Sequence, residues 1–355
     1  MRGMAVVAVL TVIAAAALPA VLASGLSKLP VRTGLEASLR LQNVKAQASP
    51  IALRGGACDM PGMTEEEIAH ELSRRKFYKA EQEAEFVESH ECITPQQQDP
   101  AYRLAFRDTD FLLREELRPV RFQLELLKPE MLLDEAGIGS TLVMYGSARI
   151  PSPEEAGTVR AAATTPEKQA VAERLIAKAR YYEEARKLAQ IASRSAVVED
   201  GKRHFVICSG GGPSIMEAAN RGAADVGADS IGLNITLRHE HTPNAYVTPH
   251  LSFQFHYFAL RKMHFLLRAR AVAAFPGGFG TFDELFELLT LVQTGKMQPI
   301  PILLFGGDFW SRVVNFEALA EEGVISPADL DLFHIVETAE EAWDHITAFY
   351  GLDVA

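Results

Sequence analysis

Residues 271–295 read AVAAFPGGFGTFDELFELLTLVQTG. The apolar run from Ala271 to Phe275 predicts a buried strand. Pro276 stops it, and Gly277, Gly278 and Gly280 turn the chain into a helix expected to begin at Thr281. Phe282, Leu285, Phe286, Leu289 and Val292 recur at helical spacing, so one face of that helix is apolar. A glycine-rich turn from strand to helix brings unpaired backbone N–H groups and the positive end of a helix dipole to one point. Such a point suits an anion, and a carboxylate, Glu284, sits one turn into the helix.

The same alternation surrounds this stretch. Thr141 to Tyr145 predicts a strand ending in Gly146-Ser147-Ala148-Arg149, followed by a long helix from about Pro166 to Ser193. His204 to Cys208 predicts the next strand, which runs into Ser209-Gly210-Gly211-Gly212 and the helix PSIMEAANRGAADVG, with Pro213 in its first turn. Strands are expected at Ser230–Ile235, Leu251–Phe255, Pro301–Phe305 and His334–Val336, and helices at Phe258–Arg270, near Phe309–Ala320, and from Glu340. Strands alternating with helices imply an α/β fold, a Rossmann-like parallel sheet with helices on both faces. Ligands of such sheets bind at the carboxyl ends of the strands, where every one of these glycine-rich turns falls.

The chain before residue 139 reads differently. Residues 1–24 carry Arg2 and an apolar run from Met4 to Leu22, a signal-like or anchor segment with Val21-Leu22-Ala23 as a cleavage site. The alternative is a translation start further on, at Met60 or Met63. Residues 25–62 contain Pro30, Pro50, Gly55 and Gly56 without sustained periodicity and read as a poorly ordered linker. Residues 63–138 form a helical segment, with Thr64 and Glu67 placed as a capping box and a break at Pro95 and the QQQDP stretch. Leu113, Leu117, Val120, Leu124 and Leu127 suggest an amphipathic helix packed on a larger body and kinked or divided at Pro119. Residues 139–355 are the expected Rossmann-like domain, the one that carries the glycine-rich turns.

Bulk properties narrow the function. The 355 residues are 48% hydrophobic and 23% charged, as in a globular protein. A net charge of −11 argues against nucleic acid as a partner, although it leaves room for a local phosphate pocket. Cys58, Cys92 and Cys208 lack metal-ligand spacing, and His239, His241, His250, His256 and His264 fit no ligand motif, so no metal is expected. Neither glycine turn matches G-x-G-x-x-G, and no G-K-[ST] occurs, which disfavours dinucleotides and nucleoside triphosphates. Two glycine turns facing one crevice suit a smaller phosphorylated ligand, such as a nucleoside monophosphate.

At this point the sequence resembles a known family. Pro276-Gly277-Gly278-Phe279-Gly280-Thr281 followed by Glu284 is similar to the PGGxGTxxE signature of the Lonely Guy (LOG) family. Arg261-Lys262 matches that family's Arg-Lys pair, SGGGPSIMEAANRGA matches its first glycine turn, and the likeness runs from about Thr141 to Phe305. The resemblance implies a Rossmann-like phosphoribohydrolase that splits a nucleoside 5′-monophosphate, AMP by default, into free base and ribose 5-phosphate. It implies no cofactor and makes a homo-oligomer the expectation; because phosphorylated nucleosides are chiefly intracellular and the N-terminal apolar run is atypical, the expected site of action is the cytoplasm. An exported or membrane-held form would follow only if residues 1–23 are retained. Ser214 stands where many members carry glycine. Proteins of this kind have been labelled lysine decarboxylases, a label that nothing in the sequence supports.

The chemistry assigns provisional roles. Breaking an N-glycosidic bond builds positive charge on the ribose, which a nearby carboxylate stabilises. The resemblance makes Glu284 that catalytic carboxylate, with Arg261 neutralising phosphate or assisting departure of the base. Backbone N–H groups of Gly277, Gly278, Gly280 and Thr281 would cradle the phosphate, with Gly211, Gly212 and Ser147 on the facing wall and Lys262 as a further ligand. Each has a plainer counterpart: Thr281 and Glu284 also have capping-box spacing, Arg261 and Lys262 have that of a solvated helix face, and Asp283 is a favourable first-turn charge. Met216 and Met263 read as core.

Overall fold

The computed structural model describes residues 77–195, 197–237 and 242–352. The expectations for residues 1–24, the linker, the Thr64–Glu67 capping box, Cys58, His239 and His241 lie outside these residues. The chain divides into the units Met1–Lys79 and Ala80–Ala355, and the sheet with all its helices belongs to the second.

Seven strands form one sheet: β1 Thr141–Tyr145, β2 Val206–Ser209, β3 Ser230–Ile235, β4 Ser252–Phe255, β5 Ala269–Ala274, β6 Ile302–Phe305 and β7 His334–Val336. Their order is β4-β3-β2-β1-β5-β6-β7, and every pairing is parallel. A short antiparallel hairpin, Val198–Glu199 with Lys202–Arg203, stands apart from it. Among the described residues the longer helices are α1 Ala80–Glu88, α2 Arg118–Glu135, α3 Pro166–Ile176, α4 Ala179–Ser195, α5 Ile215–Asp225, α6 Phe258–Leu267, α7 Phe279–Gln293 and α8 Ala339–Tyr350.

The apolar strands are continuous because both faces are covered. On β1, Leu142 and Met144 join a core with Tyr182, Ala185 and Leu188 of α4, Ile215 and Ala218 of α5, and Trp343 and Ile346 of α8. Val143 and Tyr145 face the opposite core, with Leu133 of α2, Leu260 and Phe265 of α6, and Leu285 and Leu288 of α7. The sheet order reverses at β1, which pairs with β2 on one side and β5 on the other. A crevice therefore opens at the carboxyl ends of these three strands.

Several local expectations need correction. The long helix divides near Lys178: α3 buries only Ala172, whereas α4 buries seven residues against the sheet. The helix expected near Phe309–Ala320 is two short ones, Gly307–Val313 and Phe316–Glu321. The Pro95–Gln98 stretch is itself one helical turn, capped by Thr94. Of the two expectations for Pro119, division holds and kinking does not: separate helical turns at Thr109–Leu112 and Glu115–Leu117 precede it, and Pro119 stands in the first turn of α2, where its missing N–H costs nothing. Leu113, Val120, Leu124 and Leu127 are exposed, and α2 packs through Phe122, Leu126, Leu132 and Leu133. Met263 is exposed and Met216 only partly buried.

Candidate active site

Three turns meet at the switch point, and Ser147 ties them together. Its N–H donates to Pro276 C=O at 3.1 Å, and its own C=O accepts from Ile215 N–H at 3.3 Å. Its Oγ accepts the Arg149 N–H at 2.9 Å, a serine turn that fixes the chain leaving β1. The turn after β2 rests on a buried polar network. Ser209 Oγ donates to Asn220 Oδ1 at 2.8 Å and accepts the Gly211 N–H at 3.0 Å. Asn244 donates its side-chain N–H to Asn220 Oδ1 at 2.9 Å and to Gly212 C=O at 3.0 Å. Asn220, fully buried, donates in turn to Ser230 Oγ at 3.0 Å. Satisfied networks of this kind hold a turn in one shape.

The turn after β5 leads directly into the first, unpaired N–H groups of a helix. Helix α7 begins at Phe279, two residues before the expected start, with Gly278 as its N-cap. The first intrahelical bond runs from Phe282 N–H to Gly278 C=O at 3.1 Å, so the N–H groups of Phe279, Gly280 and Thr281 precede it. A Cβ on Gly277 would lie 2.1 Å from Thr281 Oγ1, which holds that position to glycine. Gly278 and Gly280 face open space. Thr281 is therefore inside the first turn, not the N-cap, and the capping-box alternative for Glu284 falls away.

Glu284 is engaged elsewhere. Its Oε1 lies 3.3 Å from Arg261 Nη1, and the two side chains are only 12% and 11% exposed. Arg261 Nε donates to Leu233 C=O at 2.7 Å, and its guanidinium lies 5.0 Å from the centre of the Phe265 ring. A Cβ on Gly210 would lie 2.6 Å from Arg261 Nη2, so this glycine makes room for the guanidinium. Burial pushes the Glu284 carboxyl up to about 7; Arg261 draws it down, Asp283 raises it, Lys262 lowers it and Glu287 raises it. The buried Tyr145 phenol and Cys208 thiol are also pushed up, first by burial. Cys208 thus stays a neutral thiol, not a nucleophile.

A crevice of ≈ 1470 Å³ unites these elements. Glu284, Arg261, Gly277, Gly278, Gly280, Thr281, Gly212 and Ser147 line it. Two sequence-based candidates stand off its wall. Lys262 turns away to Asp283 Oδ1 at 3.2 Å and Glu287 Oε2 at 2.8 Å. Gly211 is buried at φ +70°, and a Cβ there would meet the Asn234 amide at 2.6 Å. Gly210 takes its place in the lining, together with Arg149 and Asn234, whose Nδ2 is buried without a hydrogen-bond partner. Asn220 was legible only as a polar residue within the apolar face of α5; Arg149 and Asn234 carried no signal that set them apart. His250 and His256 are exposed, while His264 packs against Phe255.

Ser214 holds a backbone conformation suited to glycine, φ 67° and ψ −126°, and its hydroxyl donates to Ile150 C=O. The side chain thus offsets strain that its own Cβ creates. Ser214→Ala, which keeps the strain and loses the bond, should lower stability by about 1–2 kcal/mol, whereas Ser214→Gly should stay within about 1 kcal/mol of wild type. Urea unfolding midpoints decide this, and an alanine variant as stable as wild type would refute it.

Parts of the chain are similar to known proteins. A family described as "Possible lysine decarboxylase" matches residues 216–346. A probable cytokinin riboside 5′-monophosphate phosphoribohydrolase of Oryza sativa subsp. japonica is 32% identical over 90 residues, 25% of this chain and 43% of that one. A cytokinin riboside 5′-monophosphate phosphoribohydrolase of Arabidopsis thaliana is 34% identical over 82 residues, 23% of this chain and 38% of that one. The matches thus span less than half the length of these relatives. Among solved structures, the molybdenum cofactor carrier protein of Chlamydomonas reinhardtii aligns with a TM-score of 0.33 and 16% identity, over 59% of this chain and 99% of that one. The signature residues, the family match over residues 216–346 and the plant relatives agree: in this region the chain is similar to proteins of the Lonely Guy (LOG) family.

Proposed function

We propose that this protein hydrolyses the N-glycosidic bond of a nucleoside 5′-monophosphate, AMP by default, releasing free base and ribose 5-phosphate. The observation that carries the proposal is the Arg261–Glu284 pair, held at 3.3 Å in a crevice that also presents the open glycine turn at the start of α7. The 5′-phosphate would rest on the N–H groups of Phe279, Gly280 and Thr281. The ribose would then reach Glu284, one turn further along the helix.

As the bond from C1′ to the base nitrogen lengthens, its electron pair leaves with the base and the ribose becomes an oxocarbenium ion. The Glu284 carboxylate stabilises that charge where burial shields it from water, accepts a proton from the water that attacks C1′, and returns that proton through solvent to the departed base, which leaves as the neutral free base. Arg261 orients the carboxylate and favours its ionised form. A lysine imine, which the decarboxylase label would require, has no support here: among the described residues no lysine lines the crevice, and Lys262 is paired outside it.

Incubating the full chain with AMP and separating the products by chromatography tests the reading. Adenine and ribose 5-phosphate in equal amounts are expected. Saturable AMP binding without adenine would instead favour a nucleotide carrier of the same fold.

A further inference from the structure

The charges lining the crevice do not balance for the ligand proposed to enter it. Among the described residues the wall carries two carboxylates, Glu217 and Glu284, and two cations, Arg149 and Arg261. Arg261 is already committed, to Glu284 Oε1 at 3.3 Å and Leu233 C=O at 2.7 Å, and is buried. Its charge answers the carboxylate beside it and leaves little for an incoming anion. Glu217 accepts the Tyr182 hydroxyl at 2.9 Å and stays on the wall as a further negative group. The whole chain carries a net −11. Apart from the backbone N–H groups at the start of α7, the wall described so far offers a phosphate dianion little positive charge.

Arg149 is the remaining cation of that wall, and it is exposed. Among the described residues no carboxylate is paired with it. Its backbone is nevertheless fixed: the Arg149 N–H donates to Ser147 Oγ at 2.9 Å, and the Ser147 N–H donates to Pro276 C=O at 3.1 Å. Two hydrogen bonds therefore tie the Arg149 backbone to the turn where the phosphate would rest. A guanidinium is always charged and presents a fork that matches two phosphate oxygens.

We propose that Arg149 is the phosphate-binding cation of the crevice, closing over the 5′-phosphate from the β1 turn opposite the start of α7. This rests on the reading that the crevice takes a nucleoside 5′-monophosphate. It gives the enzyme a way to distinguish nucleotides from nucleosides through a residue that touches only the phosphate.

Calorimetric titration of the full chain with AMP and with adenosine tests the assignment in wild type, Arg149→Gln and Arg149→Lys. Arg149→Gln should weaken AMP at least tenfold and leave adenosine unchanged, and lysine should recover part of the loss as a point charge. AMP affinity should also fall with added KCl more steeply in wild type than in Arg149→Gln. In turnover the loss should fall on KM. AMP affinity within twofold of wild type in Arg149→Gln, or an equal loss for AMP and adenosine, would overturn the role of Arg149. If the wild type binds AMP but releases no adenine, the hydrolytic reading fails while the binding comparison still decides Arg149.

Discussion

Replacing Glu284 by glutamine should reduce adenine release about a thousandfold or more while leaving the fold intact. Glutamine keeps the size of the side chain and its hydrogen-bonding capacity. What it removes is the negative charge that would face the ribose as the glycosidic bond breaks. A thousandfold loss corresponds to about 4 kcal/mol of transition-state stabilisation, a reasonable share for one buried carboxylate.

Stability should respond in the opposite sense. The folded-state value of Glu284 is raised from 4.5 to about 7, so folding favours its protonated form despite Arg261. That contribution to stability is fully present below pH 4.5 and is lost as the pH rises through about 7. A neutral glutamine never bears the cost of burying charge. The melting temperature of Glu284→Gln at pH 8 should therefore match or exceed that of wild type, and the Glu284 share of its decline between about pH 4.5 and 7 should be absent. Wild-type turnover by the variant, measured as adenine release at saturating AMP, would remove Glu284 from the mechanism.

The sheet was legible in the sequence because its strands are short apolar runs closed by glycine or proline. β1, β3 and β7 fall at the residues expected. Covered faces make a strand uniformly apolar, and that signal survives without an alignment. Helix ends were less legible. α7 starts at Phe279 although this side chain is 97% exposed and shows no periodicity. The face of α2 that packs could not be chosen by counting leucines, since Leu124 and Leu127 point outward while Phe122 and Leu126 point in. On such a helix both faces carry apolar residues, and only the neighbouring element decides between them.

The site divides in the same way. Glu284 and the glycines after β5 lie on one continuous stretch, so local grammar locates them. Arg261 is far more buried than a charge on a helix of mixed character would announce, because its partners come from β3 and α7. Gly211 and Lys262 sit beside residues that line the crevice, yet neither reaches it. A step of one residue along a turn or helix changes the direction of a side chain completely. Spacing alone locates the turn, not which of its members faces the crevice.

The pairing of Arg261 with Glu284 leads to the second large effect. Arg261→Met keeps an unbranched chain under Phe265 but removes the attraction that lowers the Glu284 value. Burial then acts almost unopposed, and the carboxyl should rise above about 7 by roughly one unit or more. In the proposed mechanism the ionised form of Glu284 stabilises the ribose cation and accepts the proton of water. For wild type, kcat/KM should consequently climb with pH and level off above about 7. In Arg261→Met that rise should move to higher pH, and kcat/KM at pH 7 should fall about fivefold or more through the loss of ionised Glu284. AMP itself titrates near pH 6, but this ionisation is common to both proteins, so the displacement between the two profiles reports Glu284. Arg261→Lys, which restores a positive charge, should return the profile toward that of wild type. A uniform drop in rate with no displacement would mean that Arg261 acts on the substrate directly instead of through the carboxylate beside it.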